Sequence, residues 1–71
     1  MKQYYETVTC QKNGYDEWIE YEGFDKEKAI EKKRYEDRYD CDTSYTEVRE
    51  YDIPEGRDVE SVILEGCYTV L

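Results

Sequence analysis

The 71-residue chain carries 19 acidic residues, 10 basic residues and no histidine, which gives a formal net charge of −9. A chain of this length forms one domain at most, so residues 1–71 exclude a doubly wound nucleotide-binding domain, a large barrel and most enzymes with an enclosed pocket. Aliphatic residues are few, but nine tyrosines and one tryptophan can supply a thin core, so we predict a small folded domain.

The first predicted element is a β-hairpin centred on Asn13-Gly14. Residues 3–11 and 15–24 are rich in β-branched and aromatic types, which suit strands. Asn-Gly favours a type I′ turn, which needs positive φ at both central residues. A two-residue loop predicts the pairs Val8–Ile19, Cys10–Glu17 and Glu6–Tyr21 on the core side, and Thr9–Trp18, Thr7–Glu20 and Tyr5–Glu22 on the solvated side. A looser loop would exchange the two sides.

A helix is predicted next, over residues 26–40. Asp25 is its expected N-cap, since a carboxylate can accept a backbone N–H of the first turn. Ala29, Ile30 and Lys33 share one narrow apolar face, so we expect this helix to pack on a sheet.

Residues 43–53 are predicted to form a third strand that ends before Pro54. Val48 falls on one side of this strand, whereas Tyr45, Tyr51 and Ile53 fall on the other, an arrangement that a bulge would reconcile.

The last part of the chain predicts a short helix and a strand. Asp58 is the expected N-cap, Gly66 the expected stop, and residues 67–71 the strand. The order β-β-α-β-(short α)-β predicts an α+β domain with a small antiparallel sheet and both helices on one face.

Charge is unevenly distributed along the sequence. Residues 26–38 hold six bases and four acids, a net of +2, and the rest of the chain holds four bases and fifteen acids, a net of −11. Because the acids lie outside the helix, we expect a dipolar molecule with an acidic sheet side, whose natural partner is a basic, nucleic-acid-binding surface.

Carboxylates two residues apart on a strand stand about 6.8 Å apart on one face, coarsely like a row of phosphates. The candidate acidic contacts are Asp16, Glu17, Glu20, Glu22, Glu47, Glu50, Asp52 and Glu55, with Tyr5, Trp18 and Tyr51 as aromatic anchors. The structural alternative is a solvated acidic face with the rings packed under the helix.

The sequence does not indicate a catalytic site or a metal site. Without histidine there is no catalytic triad and no ordinary zinc site, so we expect no enzyme activity and no cofactor. Asp37, Asp40 and Asp42 lack the glycine and terminal glutamate of a calcium loop.

Cys10, Cys41 and Cys67 are expected to be reduced, half-buried core residues. With no signal peptide, no membrane segment and too much negative charge for nucleic acid or membrane binding, the cytosol of a bacterial host is the expected location.

Four features together resemble small acidic proteins of phages and mobile elements of Gram-positive bacteria. They are the Asn13-Gly14 hairpin, the helix opening at 25–30, the segment 47–54 and the ending 66–70. Such proteins include anti-CRISPR and other anti-defence inhibitors, several of which resemble DNA in charge. The resemblance implies a host-directed binding role and carries over no functional residues.

The leading hypothesis is a phage-type inhibitor that occludes a basic DNA- or RNA-binding site on a host protein, for example a CRISPR effector. One alternative is a homo-oligomeric accessory protein, such as a homodimer paired through the apolar edge at 67–71. Another is a nucleotide-binding oligomer in which Lys32, Lys33 and Arg34 line the pocket.

Overall fold

A computed structural model describes residues 1–14, 16–38 and 43–71. Its elements follow the order β1 (Lys2–Gln11), β2 (Glu17–Gly23), α1 (Lys26–Asp37), β3 (Ser44–Ile53), α2 (Val59–Glu65) and β4 (Thr69–Val70). The strands form one antiparallel sheet in the order β2-β1-β3-β4. The α+β class, the antiparallel sheet and the predicted order are confirmed. Tyr15 and residues 39–40, which the sequence assigns to β2 and α1, lie outside the described residues.

The hairpin between β1 and β2 has the predicted register beside its turn. Val8 pairs with Ile19, Thr9 with Trp18, and Cys10 with Glu17. The turn itself is of another type, because only Gly14 has positive φ, +80°, and its N–H donates to the carbonyl of Gln11 at 2.9 Å. The register depends on the chain length of the loop, so it survives the change of turn type.

A β-bulge shifts the rest of this register by one residue. Thr7 pairs with Tyr21 and not with Glu20, so Glu20 is the extra residue of β2. The bulge places Tyr21 against the buried cluster of Tyr5, Ala29 and Val48. A half-buried aromatic ring thus packs against this cluster where the regular register would place a glutamate. The predicted pairs Glu6–Tyr21, Thr7–Glu20 and Tyr5–Glu22 are wrong for this reason.

The two helices pack on opposite faces of the sheet. Tyr4 belongs to a buried cluster with Val62 of α2, whereas Tyr5 belongs to a cluster with Ala29 of α1. Successive residues of a strand point to opposite faces, so the expectation that both helices share one face is not met. We call these the α2 face, which carries Tyr4 and Tyr51, and the α1 face, which carries Tyr5 and Val48.

Strand β1 is central and is buried on both of its faces. Every residue from Tyr4 to Cys10 is buried, including Glu6 and Thr7. The prediction that one side of the hairpin is solvated is therefore wrong for β1. Strand β3 has a regular register with β1 and needs no bulge, because Val48 and Tyr51 each have a helix to pack against.

Local capping rules position both helices. The Asp25 carboxylate accepts the N–H of Lys28 at 3.2 Å, and the Asp58 carboxylate accepts the N–H of Ser61 at 3.0 Å. Gly66 ends α2 with a left-handed φ of 73°. These three predictions are confirmed.

The final predicted strand is reduced to Thr69–Val70, paired with Glu50 and Arg49 of β3. The apolar side chains of Tyr68, Val70 and Leu71 at this end of the chain are exposed, and so is Leu64 of α2.

Candidate protein-interaction surface

The eight predicted acidic contacts do not form one surface. Pairing with β1 places their side chains on both faces of the sheet. The α2 face carries Glu17, Glu22 and Glu47, the α1 face carries Glu20, Glu50 and Asp52, and Asp16 and Glu55 lie beyond the ends of strands.

Arg49 holds two of these acids on the α2 face. Its Nε donates to Glu47 at 2.7 Å, and a terminal nitrogen donates to Glu17 at 3.0 Å. Burial opposes the charge of Arg49, but the hydrogen bonds that it donates to Glu17 and Glu47 keep its pKa above the ordinary value. The same hydrogen bond from Arg49 lowers the pKa of Glu17. Glu47 is consequently an internal partner of Arg49, with a side chain only 15% exposed.

Glu6, opposite Arg49 in the register, is a fourth acid on this face and is not among the acidic contacts predicted from the sequence. It is 4% exposed, and the hydroxyl of Tyr51 donates to its carboxylate at 2.8 Å. Burial, followed by the interaction with Glu6, raises the pKa of Tyr51. The ring of Tyr68 lies over Arg49, with its centroid 4.7 Å from the guanidinium carbon. The sequence feature that could have indicated this charged cluster is Arg49 itself, because it is the one basic residue within the third predicted strand.

Two of the three predicted aromatic anchors are core residues. Tyr5 is 6% exposed and Tyr51 is 2% exposed, so neither is available at the surface as predicted. They are buried because each side of the central sheet is covered by its own helix. Trp18 differs, since it is 45% exposed and its indole N–H donates to Glu20.

Part of the predicted site, namely Trp18 and the four acids of residues 16–22, lies together in strand β2 and the residue just before it. Strand β2 is an edge strand of the sheet, and residues 16–22 hold four acids and no base. Trp18 and Ile19, which point to opposite faces, are about half exposed in the same segment. We call residues 16–22 the acidic edge. It combines negative charge, exposed apolar surface and an open strand edge, which are the components of a protein-interaction site.

An open groove of about 580 Å³ lies between β2 and α1 and is lined by Glu20, Tyr21, Lys28, Glu31, Lys32 and Tyr35. Its charges are of both signs. Lys32 pairs with Glu36 at 3.2 Å, and Lys33 pairs with Asp37 at 2.7 Å. These ion pairs reduce the positive charge that the nucleotide-binding alternative requires.

The cysteines show no common environment. Cys10 is a buried thiol, with a pKa raised by burial, and Cys67 is exposed, so the expectation of half-buried core positions does not hold for these two. Cys41, Asp40 and Asp42 lie outside the described residues. Within 1–14, 16–38 and 43–71, no group of three or more metal-ligating side chains is present.

In the same described ranges, neither helix is long and apolar enough to span a bilayer. No family model, curated protein or solved structure matches the chain.

Proposed function

We propose that the protein is a non-enzymatic acidic interaction module that covers a basic, nucleic-acid-binding surface of a partner protein. The acidic edge is the contact region, and Trp18 is its aromatic anchor. The partner is blocked sterically and electrostatically, because the edge occupies positions that phosphates would otherwise take.

The observation that carries the proposal is the separation of charge. The segment 26–38, which contains α1, has a net charge of +2, and the remaining residues have a net charge of −11. The acids outside this segment lie on both faces of the sheet, but four of them, with no base among them, fall within residues 16–22 at the open edge formed by β2. A field of this kind steers a basic partner toward the acidic edge and accelerates association.

The internal ion pairs restrict the site to a smaller set than the eight predicted acids. Glu47 is committed to Arg49, whereas the Glu17 side chain is 55% exposed although it also contacts Arg49. Asp16 and Glu22 are exposed. The contact region is therefore a strand edge of about seven residues and not a broad plateau.

Affinity capture from a bacterial lysate, with and without nuclease treatment, tests this function. We expect basic nucleic-acid-binding proteins to be retained after nuclease treatment, to elute as salt is raised, and to be displaced by added DNA or RNA. Retention that depends on intact nucleic acid, or that ignores salt, would contradict direct binding to a basic surface.

A pair of charge-matched variants locates the contact. Glu20→Lys with Glu22→Lys changes the charge of the acidic edge by +4, and Glu27→Lys with Glu60→Lys makes the same change at exposed positions of the two helices. We expect the edge variant to weaken binding at least about tenfold and the helix variant to have a much smaller effect. Equal losses would mean that only net charge matters.

The resemblance to small phage and mobile-element proteins suggests a host defence effector, such as a CRISPR nuclease, as the partner. Inhibition of DNA cleavage by such an effector in the purified system is the corresponding test. Failure there would exclude this partner class and would leave the binding of other basic proteins to the capture experiment.

A second function is favoured by the other edge of the sheet. Strand β4 has only two paired residues, the segment 66–71 has no charged residue, and Val70 and Leu71 are about half exposed. An uncharged open edge favours pairing with another copy, which would make the protein a homo-oligomeric accessory component. Light scattering distinguishes the functions, because a stable oligomer without a salt-dependent partner supports only the second.

A further inference from the structure

The outer edge of β2 offers backbone groups in a defined pattern. The N–H of Gln11 donates to the carbonyl of Asp16 at 2.9 Å, so this pair is hydrogen-bonded within the hairpin. Antiparallel ladders alternate between hydrogen-bonded and non-hydrogen-bonded pairs. The N–H and C=O groups of Glu17 and Ile19 consequently point away from β1. No described element of the chain pairs with β2 on that side.

Side chains of similar chemistry flank this edge on both faces. On the α2 face, Glu17 is next to the half-exposed Ile19. On the α1 face, Trp18 is next to Glu20 and donates a hydrogen bond to it. An added strand would therefore find one acid and one apolar side chain on each of its faces.

A second copy of the chain is a poor occupant of this edge. Residues 16–22 contain four acids and no base. An antiparallel pair of β2 strands would therefore collect eight carboxylates and no compensating cation, and like charges facing each other across strands are destabilising. Lysine or arginine side chains on the incoming strand would remove this repulsion.

We propose that the outer edge of β2 binds an extended basic segment of the partner by adding it to the sheet as a fifth strand. The backbone of Glu17 and Ile19 supplies the hydrogen bonds, and the acids and apolar side chains on the two faces select a segment that carries both basic and apolar residues. This inference rests on the proposed function and specifies how the acidic edge contacts its partner.

A designed peptide tests strand addition directly. The probe is a capped octapeptide in which pairs of lysines alternate with pairs of valines, so that each face of the extended peptide presents both types. The control has the same sequence with N-methyl groups on two adjacent central residues, which block both of its edges. Trp18 is the only tryptophan of the chain and lies on the edge, so its fluorescence reports binding.

We expect the unmodified peptide to shift the Trp18 emission and the methylated peptide to bind at least about fivefold more weakly, because hydrogen bonds to the β2 edge are lost. Equal affinities, or no binding of the unmodified peptide at millimolar concentration, would overturn the inference.

A substitution in the protein provides an independent test. Ile19→Pro removes an outward N–H without removing a hydrogen bond to β1, and proline is tolerated at edge positions of this kind. Ile19→Val is the matched control, since it keeps the N–H and an apolar side chain. We expect the proline variant, with circular dichroism like that of the parent, to lose at least about fivefold in peptide affinity and the valine variant to change little.

The outcomes separate the inference from the function. If a captured basic protein binds in a salt-dependent way but is insensitive to both Ile19→Pro and peptide competition, strand addition is wrong and the proposed function stands. If the peptide binds as expected but no basic protein is captured, the edge accepts basic strands and the proposed cellular role is wrong.

Discussion

The two faces of the sheet solve the same packing problem with different chemistry. Under α1, Tyr5, Val48 and Ala29 form an apolar cluster, and the Thr7 hydroxyl donates to the carbonyl of Ala29 at 2.8 Å. Under α2, an apolar cluster around Tyr51 adjoins a charged one centred on Arg49. The buried side-chain hydrogen bonds under α1 are made by the neutral hydroxyls of Thr7 and Thr9. On the α2 face, the corresponding hydrogen bonds go to carboxylates, those of Glu6 and Glu47. An acidic residue in a strand can therefore be counted as a surface charge only after its partners on the neighbouring strands have been identified.

The largest expected effect comes from removing the central cation of the α2 face. Arg49→Met leaves Glu47 partly buried without its partner, and breaking a buried ion pair on one side is strongly destabilising. We expect the free energy of unfolding, measured by urea denaturation at pH 7, to fall by about 3 kcal/mol. Lys32→Met removes a partly exposed ion pair within α1 as the control and should cost less than about 0.5 kcal/mol. A more stable Arg49→Met variant would show that the charged cluster contributes no stability.

A smaller loss of unfolding free energy is expected where the apolar cluster of the α2 face adjoins the charged cluster around Arg49. Tyr51→Phe removes the hydroxyl that donates to the buried Glu6 and keeps the ring in its cluster. The cost should be about 2 kcal/mol, as for a hydrogen bond to a charged group. Tyr68→Phe keeps a ring over Arg49 and is the control, with little change expected in the same denaturation measurement.

The corresponding change on the α1 face should cost less. Thr7→Val removes a neutral hydroxyl and preserves the shape of the side chain, so we expect a loss of about 1 kcal/mol in thermal or urea unfolding. Thr69→Val at the exposed β4 provides the comparison and should be near neutral. If Thr7→Val equals or exceeds Tyr51→Phe, the contrast between neutral and ionic faces is wrong.

The smallest effect is a pH dependence. Arg49 lowers the pKa of Glu17, so this ionised carboxylate stabilises the folded state above its unfolded pKa, near the ordinary value of 4.5, and the contribution disappears as the pH falls through the lowered value. Glu17→Gln should be less stable than the parent at pH 7, and the difference should shrink in unfolding experiments below about pH 4.5. A difference that is constant from pH 7 to pH 3 would contradict this coupling.

The parts of the fold that follow local rules could be predicted from the sequence. Asp25 and Asp58 cap helices through their own side chains, Gly66 adopts a left-handed φ, and the hairpin register beside the turn follows from loop length. None of these depends on what the rest of the chain does.

The parts that depend on distant pairing could not be predicted. Arg49 meets Glu17 across 32 residues, and Tyr51 meets Glu6 across 45, so both contacts require the β1–β3 register. Both faces of β1 mix polar and apolar residues, so composition alone does not indicate that both are covered. For the same reason Tyr5 and Tyr51 could not be assigned to the core from their positions in the sequence.

The bulge at Glu20 makes the length of β2 as significant as its composition. One additional residue is what allows Trp18 and Tyr21, three positions apart, to project in the same direction. A single-residue insertion or deletion elsewhere in this strand would move every side chain beyond the altered position to the opposite face of the sheet. Glutamates and aromatic rings would then exchange faces although no residue had been substituted. A one-residue insertion or deletion would therefore alter the acidic edge more than a single substitution would, because it changes the face to which several side chains point at once.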